Sequence, residues 1–142
     1  MIGISKLYCG TVEPSDVLRY RGRRPPAHLL QFARERKPVV VWNGTRRCNL
    51  ECVHCYSGST AAGGAEMDTA QAVAMLDDLA AFGCPVILFS GGEPLMRPDI
   101  FELIPAAVAR GLRAVLSTNG TLITEADTAP LNALDLNYGG VS

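Results

Sequence analysis

Three thiols fall within eight residues at Cys48-Asn49-Leu50-Glu51-Cys52-Val53-His54-Cys55, separated by three residues and then by two. The unequal gaps distinguish this stretch from a plain pair of CxxC hooks. Three thiolates can hold three corners of a cubane iron–sulfur cluster, and the missing fourth protein ligand leaves one iron open to a small molecule. A structural zinc site instead wants four closed ligands, so His54, Cys9 or Cys84 would have to complete it. The geometry for zinc is poor, because neighbouring His54 and Cys55 rarely reach one metal together. A second chemical signature, Gly91-Gly92-Glu93-Pro94, follows an apolar run further along. Paired glycines let a ligand approach exposed backbone, and they are expected to release N–H and C=O groups from a strand ladder. A simple turn is the plainer reading of a glycine pair taken alone.

Together and in this order, the two motifs resemble the radical S-adenosylmethionine (radical SAM) superfamily. Within it, residues 1–20 (MIGISKLYCGTVEPSDVLRY) and 38–57 (PVVVWNGTRRCNLECVHCYS) look like the subgroup that trims tetrapyrrole side chains in alternative haem and haem d1 biosynthesis. The resemblance implies a 4Fe-4S cluster on Cys48, Cys52 and Cys55, with S-adenosylmethionine bound at the open iron. One electron would then cleave the sulfonium and give a 5'-deoxyadenosyl radical that takes hydrogen from substrate. It assigns Gly91, Gly92 and Glu93 to the methionine amino group. Ser142 stands where the family often has a polar residue reaching the cofactor's ribose or carboxylate, and Ser117 and Asn119 are further candidates. A turn-forming role is the alternative for Asn119. The implied partners are a small-molecule substrate of the sirohaem type and an electron donor such as ferredoxin or flavodoxin. A peptide-modifying radical SAM enzyme shares every central motif, and a zinc-binding interaction module is the reading from another class. A cluster-binding chain without turnover is a further alternative.

These residues need elements to position them. Pro38-Val39-Val40-Val41-Trp42 is a β-branched run suited to a buried parallel strand, with Asn43 to Arg47 as its exit into the cysteine loop. Residues 57–66 (SGSTAAGGAE) read as a loop. Asp68 or Thr69 can cap the following helix, whose apolar stripe is Ala72, Val73, Met75, Leu76, Leu79, Ala80 and Phe82, with Asp77 and Asp78 facing away and Gly83 as the stop. A second strand over 85–90 opens into the glycine pair. A second helix presents Ile100, Leu103, Ile104, Ala107 and Val108 and ends at Gly111. A third strand spans 112–117 and ends at Thr118-Asn119-Gly120. A weaker helix over 124–134 is interrupted by Pro130, and a fourth strand begins at Tyr138. Cys84 reads as a buried small hydrophobe.

Strand and helix alternate, which implies a parallel α/β sheet with its functional loops at the strands' C-terminal ends. A full eight-unit barrel needs roughly 250 residues. At 142 residues, the chain has room for about four strands of a partial (β/α) barrel of the radical SAM type. The division expected is a basic N-terminal extension over 1–37 and the barrel portion over 38–142.

Composition agrees with a soluble, cytoplasmic globular protein: 48% of residues are hydrophobic and 19% charged, which argues against disorder. No run reaches the roughly 20 apolar residues of a membrane span, and no secretory signal is legible at the start. Five cysteines, three of them clustered, fit metal binding in a reducing compartment better than a disulfide framework. A formal net charge of −1 conceals an asymmetry, because residues 1–47 sum to +7 and residues 48–142 to −8. Arg19, Arg21, Arg23, Arg24, Arg34, Arg36 and Lys37 could pair with the carboxylates of a tetrapyrrole or form a solvated arm. Aromatic residues are not interleaved with them, so nucleic acid is not expected. Arg46 and Arg47 are the cations next to the cysteine loop, where solvation is the plainer role.

Overall fold

The computed structural model describes residues 37–141 apart from Asp135. Expectations for the basic arm, Cys9 and Ser142 lie outside the described residues. Four strands form one parallel sheet in chain order: β1 (Val40–Thr45), β2 (Val86–Gly91), β3 (Arg113–Thr118) and β4 (Tyr138–Val141). The connections carry α1 (Thr69–Phe82), α2 (Ile100–Ala109) and α3 (Thr128–Ala133). This is the partial α/β barrel expected from the sequence.

The helices cover one face of the sheet. Alternation along the strands turns Ile87, Phe89, Ala114 and Leu116 toward them, where they form the core with Ala72, Leu76, Ile100, Leu103, Ile104 and Ala107. The opposite face follows from register. Val41, Leu88, Val115 and Tyr138 form one row across all four strands. The next row toward the C-terminal ends pairs Asn43 with Ser90 and Ser117 with Gly140. An apolar row thus underlies a polar one at the rim where the cysteine loop leaves the sheet.

Local chemistry sets each boundary. Asp68 caps α1 through a reciprocal capping box with Gln71, while Thr69 donates to Asp99 at 2.8 Å instead of capping. Gly83, at φ 82°, ends that helix in the left-handed conformation. Phe82 departs from the expected stripe: it is 53% exposed, and its ring accepts the Lys37 ammonium 4.2 Å from the centroid. Cys84 is buried as expected and its thiol donates to the Val86 carbonyl. The expected 124–134 helix is a 3-10 turn over Glu125–Asp127 followed by the short α3. Pro130 falls in the first turn of α3, where the absent N–H has no helical partner to lose.

The largest difference lies at β1, which continues to Thr45 instead of leaving the sheet after Trp42. Its register with β2 shifts between Asn43 and Thr45, around Gly44, which lies against the Trp42 ring. The pairing then goes on into the loop. Gly92 N donates to Thr45 O at 2.8 Å and Glu93 N to Arg47 O at 2.7 Å. The glycine pair therefore does not release these N–H groups from the ladder; they hold the segment that leads into Cys48.

Candidate functional site

The cysteine loop is fastened before it reaches its ligands. Arg46 O accepts from Thr60 N at 3.1 Å and Cys48 N donates to Thr60 O at 3.0 Å, so the two ends of the loop pair like a short ladder. Cys48 is buried, whereas Cys52 and Cys55 are exposed. The pKa of the Cys55 thiol is lowered to about 7, first by the Ser57 hydroxyl at 3.2 Å and then by backbone N–H groups of Ser59, Ser57 and Gly58. These donors favour the thiolate, which is the form that ligates metal.

A cavity of about 380 Å3 opens at the C-terminal rim of the sheet, and Cys48, Cys52, Cys55, Gly91 and Gly92 all line it. Ser117 and Asn119, from the end of β3, line it too. The two sequence motifs and the third strand end are thus brought together. Glu93 is placed differently: it is fully buried and absent from the lining. Its Oε1 accepts from Thr118 Oγ1 at 2.7 Å and Leu95 N at 3.0 Å, and its Oε2 accepts from Asn119 N at 2.7 Å. The carboxylate ties the end of β2 to the end of β3.

The glycines are required for packing as much as for approach. A Cβ on Gly91 would overlap Thr45 O, and one on Gly92 would overlap Arg47 O. Gly91 also sits at φ 125°, open to few other residues.

Other lining and supporting residues carry no spacing signal in the sequence. His54, Tyr56, Ser57 and Ser90 line the same cavity, and the Tyr56 hydroxyl lies 3.4 Å from Asn43 Oδ1 and 3.5 Å from Ser90 Oγ. Beneath the loop, buried Arg97 donates to Gly44 O at 2.6 Å, to Met67 O at 3.0 Å and, through both arms of its fork, to Asp99. Glu66 Oε1 in turn accepts from Thr45 Oγ1 at 2.6 Å. These residues clamp the start and the end of the cysteine segment to α2. A Pro-x-x-Arg-Pro-Asp run gives no hint of this, because a lone arginine usually reads as solvated.

Among the described residues, no three Cys, His, Asp or Glu side chains converge as ligands of one metal ion would. A cubane does not ask for that convergence, since each thiolate reaches a different iron. Three sulfurs around one cavity of this size fit such a cluster.

The sequence model of the Radical SAM superfamily matches residues 42–140. The chain belongs to this superfamily. Radical SAM proteins use a 4Fe-4S cluster and S-adenosylmethionine. The chain is 59% identical over its whole length to Fe-coproporphyrin III synthase of Methanosarcina barkeri, of which the match covers 36%. It is 43% identical to pre-heme d1 synthase of Dinoroseobacter shibae, over 75% of this chain and 26% of that enzyme. The chain thus spans about a third or less of the length of these relatives. Among solved structures, BtrN in complex with AdoMet and 2-DOIA superposes with a TM-score of 0.63 at 24% identity, over 72% of this chain and 44% of BtrN. That likeness supports the radical SAM fold.

Proposed function

We propose that this chain is the cluster- and S-adenosylmethionine-binding part of a radical SAM enzyme that removes side chains from a tetrapyrrole. The observation that carries the reading is the common cavity of Cys48, Cys52, Cys55 and the Gly91-Gly92 backbone at the strand ends. When bound, the cluster and S-adenosylmethionine supply a 5'-deoxyadenosyl radical able to abstract hydrogen from an unactivated carbon. The protein's share is placement and exclusion of water. Cys48, Cys52 and Cys55 would hold the irons. Gly91 and Gly92 offer backbone without side chains to the methionine end, and Ser117 offers a hydroxyl at the neighbouring strand end, where Asn119 lines the cavity with its amide held by Asn49 and Thr121. Ser142, which lies outside the described residues, is the further polar candidate that the resemblance adds. Glu93 acts from beneath, its carboxylate saturated by Thr118, Asn119 and Leu95.

The tetrapyrrole substrate rests on the 59% identity with Fe-coproporphyrin III synthase. The arginines of residues 19–36, in an extension ending near residue 37, would meet the substrate's carboxylates by bidentate pairing. A one-electron donor of the ferredoxin or flavodoxin class and a cytoplasmic setting complete the reading. No helix among the described residues is long and apolar enough to cross a membrane.

The test is electron paramagnetic resonance of the anaerobically reconstituted, dithionite-reduced chain with and without S-adenosylmethionine. The expected result is a four-iron signal that changes with the cofactor and disappears when the three cysteines become Ala. Stoichiometric zinc in place of a cluster would overturn the proposal. For the substrate, Arg21, Arg23 and Arg24 changed together to Ser should weaken tetrapyrrole binding, and unchanged binding would refute the role of the arm.

A further inference from the structure

Cys48 differs from the other two cysteines in being buried, and its sulfur faces two N–H donors, Leu50 N at 3.4 Å and Asn119 Nδ2 at 3.9 Å. The orientation of the Asn119 amide is fixed by its neighbours. Thr121 N, which can only donate, lies 2.9 Å from one terminal atom, so that atom is Oδ1. Nδ2 therefore faces Cys48.

A closed ring of side chains locks the arrangement. Asn119 Nδ2 donates to Asn49 Oδ1 at 3.0 Å, Asn49 Nδ2 to Thr121 Oγ1 at 2.8 Å, and Thr121 Oγ1 to Asn119 Oδ1 at 2.7 Å. Each donor meets an acceptor, and the second Nδ2 proton is left for the sulfur. The backbone is held as well, because Asn119 N donates to the fully buried Glu93 carboxylate. The end of β3 and the first turn of the cysteine loop are thus joined through one amide.

From this geometry we infer that Asn119 sets the reduction potential of the cluster through an N–H···S bond to Cys48. The inference rests on the cluster-binding reading above. Adding one electron to the cluster increases the negative charge shared by its thiolates. A donor aimed at a thiolate stabilises the reduced state and raises the potential, and the effect is larger at a sulfur shielded from water. Asn119 is in this sense a positioning and tuning residue that acts through Cys48.

The experiment compares the reconstituted 142-residue chain with Asn119→Ala, Asn119→Asp and Thr121→Val. Iron and sulfide per chain are measured first, then the midpoint potential by redox titration followed by electron paramagnetic resonance. Asn119→Ala keeps the backbone N–H to Glu93 and removes the side-chain amide, both the donor to Cys48 and the Oδ1 that accepts from Thr121, so iron content should match wild type and the potential should become more negative. Asn119→Asp puts an anion in place of the donor and should move it further the same way. Thr121→Val opens the ring while leaving the amide, and should give a smaller shift of the same sign. Loaded variants with the wild-type potential would overturn the assignment of Asn119 and leave cluster binding intact. Should the Asn119 variants fail to load, an unshifted Thr121→Val would overturn it equally. A wild-type chain that takes up no cluster would overturn the reading on which the inference rests.

Discussion

Gly92 shows how one residue serves two motifs. Its N–H holds Thr45 O, and its missing Cβ is the space into which Arg47 O fits. The glycine therefore positions the cysteine loop as well as exposing backbone to a ligand. Gly92→Ala should drive Arg47 and with it Cys48 outward, costing on the order of 1–3 kcal/mol by urea denaturation and most of the iron uptake on reconstitution. Gly139→Ala is the control, since a Cβ there meets nothing within 4 Å. Equal stability and equal iron in the two variants would show that the loop does not depend on this contact. The cysteine spacing and the glycine pair were legible from residue types alone. What the sequence concealed was direction: the N–H groups of Gly92 and Glu93 point to the loop, and the Glu93 carboxylate points into the protein. The first goes with the β1 register shift between Asn43 and Thr45 and the second with partners at the end of β3, and no local pattern encodes either.

At the scale of elements, the helices and strands were readable because their apolar periods are strong, as in Ile100, Leu103, Ile104 and Ala107 of α2. The junction that ties them was not. Arg97 joins β1 at Gly44, the segment before α1 at Met67 and α2 at Asp99, and its guanidinium lies 5.2 Å from the Trp42 ring centroid. Its partners are distant in sequence, so only the fold brings them together. Arg97→Met would leave Asp99 beside an apolar neighbour and release both carbonyls, a loss of about 3–5 kcal/mol for breaking a buried pair. Arg97→Lys keeps the charge without the fork and should recover only part of the thermal stability. Full recovery by Lys would mean that charge alone suffices. The same junction predicts a pH dependence. The Arg97 fork, aided by the Thr69 hydroxyl, holds the Asp99 carboxyl below the usual carboxylate range. A depressed folded-state pKa contributes stability that is fully present above the unfolded value, about 3.9 for Asp, and is lost as pH falls through the folded value. Acid titration of unfolding should therefore show a smaller loss of stability below about pH 4 in Asp99→Asn than in wild type. Parallel acid curves would place the sensitivity elsewhere.

Across the whole molecule, support is uneven in a way that follows the chemistry. β2 and β3 have strands on both sides and the α1–α2 layer against them, while β4 pairs only with β3 among the described residues and leaves Val141 71% exposed. Amide exchange reports local opening, and opening is least costly where one edge is unpaired and little apolar surface is buried. In the cluster-free chain, β2 and β3 should exchange slowest, β4 faster, and the exposed stretch around Cys52 and Cys55 fastest. A ligand that binds only the folded state stabilises what it touches. Reconstitution with iron and sulfide should consequently protect residues 46–60 and the Gly91–Glu93 and Thr118–Gly120 strand ends, with little change at β4. Hydrogen–deuterium exchange followed by mass spectrometry separates these segments. Protection spread evenly over all four strands would mean that the sheet, rather than its C-terminal rim, is organised by the bound group, and would contradict a site built on a preformed core.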